Sequence, residues 1–209
     1  HTALSARPGP VLLDLPKDVQ LQTVQAPSGG VQRPTQHQPA LPADADLREA
    51  AALLTAASRP VLYGGGGLIN SGPAACEAFT ALARGWNLPT TLTLMGLGAF
   101  PGSDPRFLGM LGMHGTVEAN LAMHHADLVI CVGARFDDRI TGKLAEFCPH
   151  AKKIHIDIHA GNIGKVVPVD VGLAGDCGQV LAALQGLLPA APAPERLQSS
   201  WGRMAEGRA

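Results

Sequence analysis

The sequence has almost no excess of charge: 16 Lys and Arg stand against 17 Asp and Glu, a formal net charge of −1 over 209 residues. A nucleic acid backbone or an anionic membrane is held by a chain-wide field of one sign, so neither partner is expected. Cysteine is scarce. The four residues at 76, 131, 148 and 177 include no CxxC pair, too few and too scattered for a disulfide framework or a metal site, and a reducing, cytoplasmic setting is expected. No apolar run reaches the ~18 residues of a membrane helix. The first twenty residues lack the charged start, apolar core and cleavage site of a secretory leader. There is no HExxH, no Ser-His-Asp arrangement and no thiolate setting for any cysteine, so no catalytic set is expected within these residues. The chain opens on His1-Thr2-Ala3 rather than Met and reads as mid-chain sequence.

What is present is enough apolar matter for a core, 46% hydrophobic against 16% charged, which excludes disorder over most of the length. Residues 11–15, Val-Leu-Leu-Asp-Leu, read as a short strand closed by Pro16, the end of a preceding domain over 1–19. From 20 to 43 Gln, Pro, Ser and Gly accumulate without apolar period, which describes an extended linker. A domain over 44–189 follows. Asp46 is placed to cap a helix with Leu47, Ala50, Ala51, Leu54 and Ala57 at helical spacing, ended by Pro60. Then come strand 61–63, the glycines Gly64 to Gly67, a helix from Pro73 to Arg84 closed by Gly85, and strand 90–94. An irregular stretch covers 95–115. Helix 116–125, strand 128–133, helix 140–147, strand 153–158, strand 169–174 and helix 177–188 complete the series. Strands alternating with helices, with runs as apolar as Leu128-Val129-Ile130-Cys131-Val132, predict an α/β fold: a three-layer, doubly wound, mostly parallel sheet of Rossmann-like type. Residues 190–209 read as a second linker.

In such sheets ligands lie beyond the carboxyl ends of the strands, so the residues just after each strand carry the information. Gly64 to Gly67 exceed what a turn needs and offer close approach and amide donors to a polar ligand. They do not form GxGxxG, because Ile69 breaks the spacing, and no acid ends the next strand at Thr93; ordinary NAD binding there is disfavoured. Gly133-Ala134-Arg135-Phe136-Asp137-Asp138-Arg139 sets two arginines past a buried strand. Guanidinium forks match phosphate oxygens two at a time and a helix start adds positive potential, which suits a pyrophosphate better than exposed ion pairs. Asp157 lies 24 residues after Gly133, near the ~20-residue offset at which an acid reads ribose hydroxyls; capping the next turn is the equal alternative. Asp176 with Gln179 fits a capping box. The flexible and small residues of Leu111-Gly112-Met113-His114-Gly115 suit the face of a flat ring, with His114 as a possible donor, although a lone His before a helix is more often structural.

These stretches, with Arg7-Pro8-Gly9-Pro10-Val11, Leu15-Pro16-Lys17-Asp18-Val19, Arg59-Pro60-Val61-Leu62-Tyr63, Leu94-Met95-Gly96-Leu97-Gly98, Met110 to Thr116 and His155-Ile156-Asp157-Ile158, together resemble the acetohydroxyacid synthase (acetolactate synthase) catalytic-subunit family over nearly all of residues 1–188. The resemblance implies the central, FAD-holding domain of a thiamine diphosphate enzyme that joins two 2-keto acids in branched-chain amino acid biosynthesis. It implies FAD contacts at Arg7, Gly65, Gly66, Gly67, Thr93, Leu94, Met95, Leu111, Gly112, Met113, His114, Gly133, Ala134, Arg135, Asp137, Arg139, Asp157, Ile158, Asp176 and Cys177, with Asp138 and Arg139 near the substrate channel. Thiamine diphosphate and Mg belong to the full-length enzyme, since Gly175-Asp176-Cys177 is not the family's Gly-Asp-Gly motif. The implied partners are the other domains of the same subunit, further copies in a homodimer or tetramer, and a regulatory small subunit. His159-Ala160 stands where the family usually has Asp-Pro. The alternatives are the central domain of a glyoxylate carboligase or flavin-dependent pyruvate oxidase, or a stand-alone nucleotide-binding module.

Overall fold

A computed structural model describes residues 2–4, 9–25, 29 and 40–189 of the chain. The chain divides into two units, His1–Pro39 and Ala40–Ala209. In the first, a 3-10 turn Thr2–Leu4 and helix α1, Lys17–Gln20, are the regular elements among the described residues. The strand expected over 11–15 is not formed, and Leu12 and Leu13 are exposed at 92% and 77%. A strand exists only where a neighbour completes its ladder, and apolar alternation alone supplies none. The linker residues 26–28 and 30–39, and the segment 190–209, lie outside the described residues, as does Arg7.

The second unit is the expected α/β domain. Its helices are α2 (Asp44–Ala56), α3 (Gly66–Ser71), α4 (Pro73–Gly85), α5 (Val117–His125), α6 (Asp138–Thr141) and α7 (Cys177–Leu187). Strands β1 (Pro60–Gly64), β2 (Thr90–Leu92), β3 (Phe107–Met110), β4 (Leu128–Val132), β5 (Lys152–Asp157) and β6 (Val171–Ala174) form one sheet in the order β3-β2-β1-β4-β5-β6. Every pairing is parallel. Side chains alternate between the two faces. Leu62, Leu92, Ile130, Ile154 and Leu173 pack under α2, α3, α4 and α7, while Val61, Tyr63, Val129 and Cys131 pack under α5 and the segment that follows β4. Three layers result, as the sequence predicts.

The local differences have physical reasons. Asp46 does not cap α2; Ala43 occupies that place without a side-chain bond, and Asp44 and Asp46 instead sit in the first turn, where carboxylates favour the positive helix end. Gly85 is the last residue of α4, and the turn is closed by Asn87 in the left-handed region at φ 48, with Leu88 N–H donating to Ala83 C=O at 2.8 Å. The stretch 95–115 holds an edge strand, β3, hidden by Gly109 at φ 92 and a register shift against β2. Helix 140–147 is broken by Gly142 at φ 55 into α6 and a 3-10 turn Leu144–Glu146. α3 starts inside the glycine run, against propensity, because Leu68 is fully buried.

Candidate functional site

Because all six strands run the same way, their carboxyl ends open on one edge. The loops after β1 (64–67), β2 (93–96), β3 (111–115), β4 (133–139), β5 (157–162) and β6 (175–177) therefore line a single rim. All the residues expected to bind a cofactor, save Arg7, lie on it. The chain order reverses between β1 and β4, the switch point outside which ligands of open parallel sheets bind.

Those two loops touch backbone to backbone. A Cβ on Gly67 would stand 2.5 Å from Gly133 Cα, and one on Gly65 would stand 2.4 Å from Gly133 O. Gly65 N–H donates to Val132 C=O and Gly67 N–H to Gly133 C=O, both at 2.9 Å. The Gly65 and Gly67 amides are thus used internally, which leaves the Gly66 amide as the donor the run can offer to a ligand among the described residues. The loop after β2 closes on the same place, with Thr93 Oγ1 accepting from Gly96 N–H at 3.0 Å and Gly96 packed on Gly64 and Gly65. Leu94 and Met95 at its tip are exposed at 67% and 75%.

The turn after β4 is the most constrained. Gly133 takes φ 64 and Phe136 takes φ 53, a region costly for a bulky residue. The Phe136 ring is buried against Tyr63, Phe147 and His155, with centroids 5.8, 5.9 and 5.1 Å away. Driving Phe136 inward turns its neighbours outward: Arg135 is 62% exposed, and its guanidinium pairs with Asp137. Asp137 caps α6 by accepting from Arg139 N–H at 3.2 Å. A side-chain hydrogen bond with Asp138, then the Arg139 amide and the Arg135 guanidinium, hold the Asp137 carboxyl below its ordinary range. Arg139 is exposed and has no carboxylate partner among the described residues. The helix-start contribution expected here is small, since α6 has four residues and the dipole grows with aligned peptides.

Asp157 ends β5 and is buried. Its Oδ1 accepts from His159 N–H at 2.8 Å, while Oδ2 has one long contact, 3.4 Å from Asn162 Nδ2. One oxygen thus caps the turn that holds His159 and Ala160, and the other keeps lone pairs for a hydroxyl. Ile158 is half-buried beside it. Asp176 caps α7, accepting from Gly178 and Gln179 N–H at 3.0 and 3.2 Å and from Ser71 Oγ at 2.6 Å; the capping reading is the one its contacts express. Burial pushes the Cys177 thiol up to about 12.

In the loop after β3, Leu111 is buried whereas Met113 and His114 are exposed. Asn120 fixes it from α5: its Oδ1 accepts from Gly112 N–H and its Nδ2 donates to Gly112 C=O, both at 3.1 Å. Met113 N–H then donates to Arg139 C=O at 2.9 Å, tying this loop to the arginine turn. Sequence reasoning missed Asn120, Phe136, His155 and Cys131, whose roles depend on strand register and loop contacts.

The rim fits a dinucleotide of the FAD kind on its own chemistry. It offers two exposed guanidinia for a diphosphate, an incompletely satisfied carboxylate at the next strand end for ribose hydroxyls, and exposed Leu94, Met95 and Met113 for a flat ring.

An open six-stranded, all-parallel sheet covered by helices on both faces defines an α/β domain of Rossmann-like type. Residues 47–184 match the model of the thiamine pyrophosphate enzyme central domain, and the chain belongs to that family. It is 48% identical over 185 residues, 87% of its length, to the acetolactate synthase large subunit of Parasynechococcus marenigrum (strain WH8102), of which it covers 30%. It is 46% identical over 193 residues, 92% of its length, to the acetolactate synthase isozyme 1 large subunit of Escherichia coli (strain K12), of which it covers 34%. Against the acetolactate synthase of Mycobacterium bovis the figures are 46% over 189 residues, 90% of the chain and 30% of the relative. The chain spans about a third of the length of the curated relatives it matches. Among the described residues, no helix is long and apolar enough to cross a membrane.

Proposed function

We propose that the chain is the central domain of an acetolactate synthase large subunit and that its rim holds FAD, in a protein whose overall reaction condenses two 2-keto acids. The observation that carries this reading is the pair of guanidinia at Arg135 and Arg139 beside the β1/β4 switch point, in a chain 46–48% identical to such subunits. Arg135 and Arg139 would hold the diphosphate, with Asp137 steering the Arg135 fork. Asp157 Oδ2 would accept from an adenosine ribose hydroxyl. Leu94, Met95 and Met113 would cover the ring, and the close glycine contact holds the β1 and β4 loops together beneath it. Thiamine diphosphate, in the whole enzyme, supplies the carbanion chemistry; the task of this domain is to bind and orient. Further domains of the subunit, other copies and a regulatory small subunit are the partners this reading implies, in the cytoplasm.

FAD titration followed by flavin fluorescence tests it. Replacing Arg135 or Arg139 by Ala removes a charge-assisted contact worth ~1.5–3 kcal/mol, a loss of about ten- to a hundredfold in affinity. Lys recovers only part, because a point charge lacks the planar fork. Unchanged affinity in both Ala variants, with the circular dichroism spectrum intact, would show that the two arginines serve surface ion pairs alone.

A further inference from the structure

A row of polar side chains crosses the sheet directly beneath the rim. Register places Thr91 beside Tyr63, Tyr63 beside Cys131 and Cys131 beside His155, on β2, β1, β4 and β5, so all four share one face. All four are fully buried, which is costly for polar groups without partners. Thr91 Oγ1 donates to Gly109 C=O at 2.9 Å. Cys131 Sγ and His155 Nε2 converge on one acceptor, the carbonyl of Ala134, at 3.3 and 2.7 Å. A carbonyl cannot donate, so His155 must carry its proton on Nε2. That leaves Nδ1 bare, and it is buried with no hydrogen-bond partner.

Ala134 is the residue before Arg135, and the residue after Arg135 is Phe136, held at φ 53 with its ring 5.1 Å from the His155 ring. His155 therefore touches the residues on both sides of Arg135, once by a hydrogen bond and once by an edge-to-face ring contact. A strained turn persists only where its surroundings over-determine it.

We infer that His155, in its Nε2–H form, is the positioning residue that locks the Ala134–Phe136 turn and so aims Arg135 into the crevice. The inference rests on the diphosphate role given above to Arg135. Cys131 is the weaker second donor, since a thiol donates poorly. His155 never meets the ligand; it acts through the backbone of its neighbour.

The test uses the 209-residue chain with FAD as the probe, and the variants His155→Leu, His155→Gln and Arg135→Ala, alone and combined. His155→Leu is expected to weaken FAD binding two- to tenfold, the loss of one buried hydrogen bond. In the Arg135→Ala background the same change is expected to cost less than twofold, because what it positions is gone. His155→Gln, which keeps a donor at comparable reach, should recover most of the loss. A ligand-free readout accompanies these: amide hydrogen exchange at Gly133 and Arg139, the hydrogen-bonded amides that flank the turn, should rise at least tenfold in His155→Leu while the β4 amides stay protected. Additive losses in the double variant, or unchanged exchange at the turn, would overturn the inference. If Arg135→Ala alone leaves FAD binding intact, the diphosphate role of Arg135 fails, and the exchange result still decides whether His155 locks the turn. Should His155→Leu not fold, nitrogen-15 spectra of the native imidazole settle it: the Nε2–H form is expected, and an Nδ1–H form excludes the hydrogen bond on which everything rests.

Discussion

Asp157 serves two purposes with its two oxygens. Oδ1 is committed to the turn through His159 N–H at 2.8 Å, and Oδ2 is nearly unused. Asp157→Asn keeps an acceptor for the turn and removes the charge that favours a ribose hydroxyl. It should weaken FAD binding about five- to tenfold and leave flavin mononucleotide, which has no adenosine ribose, within twofold; isothermal titration of both ligands checks this. His155 gives a second expectation at this scale. Burial lowers its basicity, against smaller opposing effects of the Ala134 hydrogen bond and the Asp157 carboxylate, and the groups facing it are Cys131 on β4, Phe136 above the sheet and Asp157 on its own strand. A base whose folded pKa lies below its unfolded value of about 6.5 is harder to protonate when folded. Its contribution to stability is complete above pH 6.5 and declines as the pH falls below that value toward the folded pKa. The His155→Gln chain should lack that segment of the stability curve in urea titrations between pH 7 and 5. Neither residue's role was fully open to sequence reading. Asp157 is visible as an acid at a strand end, whereas His155 matters because of Ala134, 21 positions earlier, which only the register of β4 and β5 brings beneath it.

At the scale of elements, the glycines separate into two kinds that sequence does not distinguish. Gly65 and Gly67 sit where a Cβ would strike the Gly133 backbone. Gly85 and Gly186 lie in helices with nothing within 4 Å of a built Cβ. Gly67→Ala should therefore destabilise by about 1–3 kcal/mol through overpacking. Gly186→Ala, at an exposed position near the end of α7, should stabilise by up to ~1 kcal/mol from helix propensity. Opposite shifts in thermal midpoint are the expected result, and equal shifts would mean that the β1 and β4 loops part easily. The same contrast explains which elements were legible. β1, β4, β5, α4, α5 and α7 have long apolar periods or apolar runs, and the sequence predicts each to within a few residues. α3 and β3 were hidden because α3 starts on two glycines and Gly109 interrupts β3, and their formation depends on tertiary partners: Leu68 in the core for α3, and β2 for β3. The short helix after the arginine turn was overestimated because Gly142 at φ 55 stops it, and a single glycine within a polar stretch does not announce which sign of φ it will take.

For the whole molecule, the parallel sheet brings six separate loops to one edge, so that the proposed FAD binding would be linked to the folding of residues 40–189. The chain by itself is expected to form no acetolactate from pyruvate with thiamine diphosphate, Mg and FAD supplied, because Gly175-Asp176-Cys177 departs from Gly-Asp-Gly and Asp176 is spent on capping α7 and bonding Ser71; product above a protein-free control in a colorimetric acetoin assay would contradict this. Binding should nonetheless register as stability. The sheet's two faces carry continuous buried clusters, one from α2 through α7 and the other beneath α5, and both share the same strands, so neither face can unfold without the other. A single cooperative transition is expected. A ligand that binds the folded state alone raises stability by about 2.7 kcal/mol at a hundred times its dissociation constant, which for a domain of this size corresponds to roughly 5–10 °C in midpoint. The midpoint should climb with the logarithm of FAD concentration, and the slope should begin at a much higher concentration in Arg135→Ala. Riboflavin, lacking both diphosphate and adenosine, should give little shift over the same range. A midpoint indifferent to FAD in the native chain would count against the FAD reading of the rim.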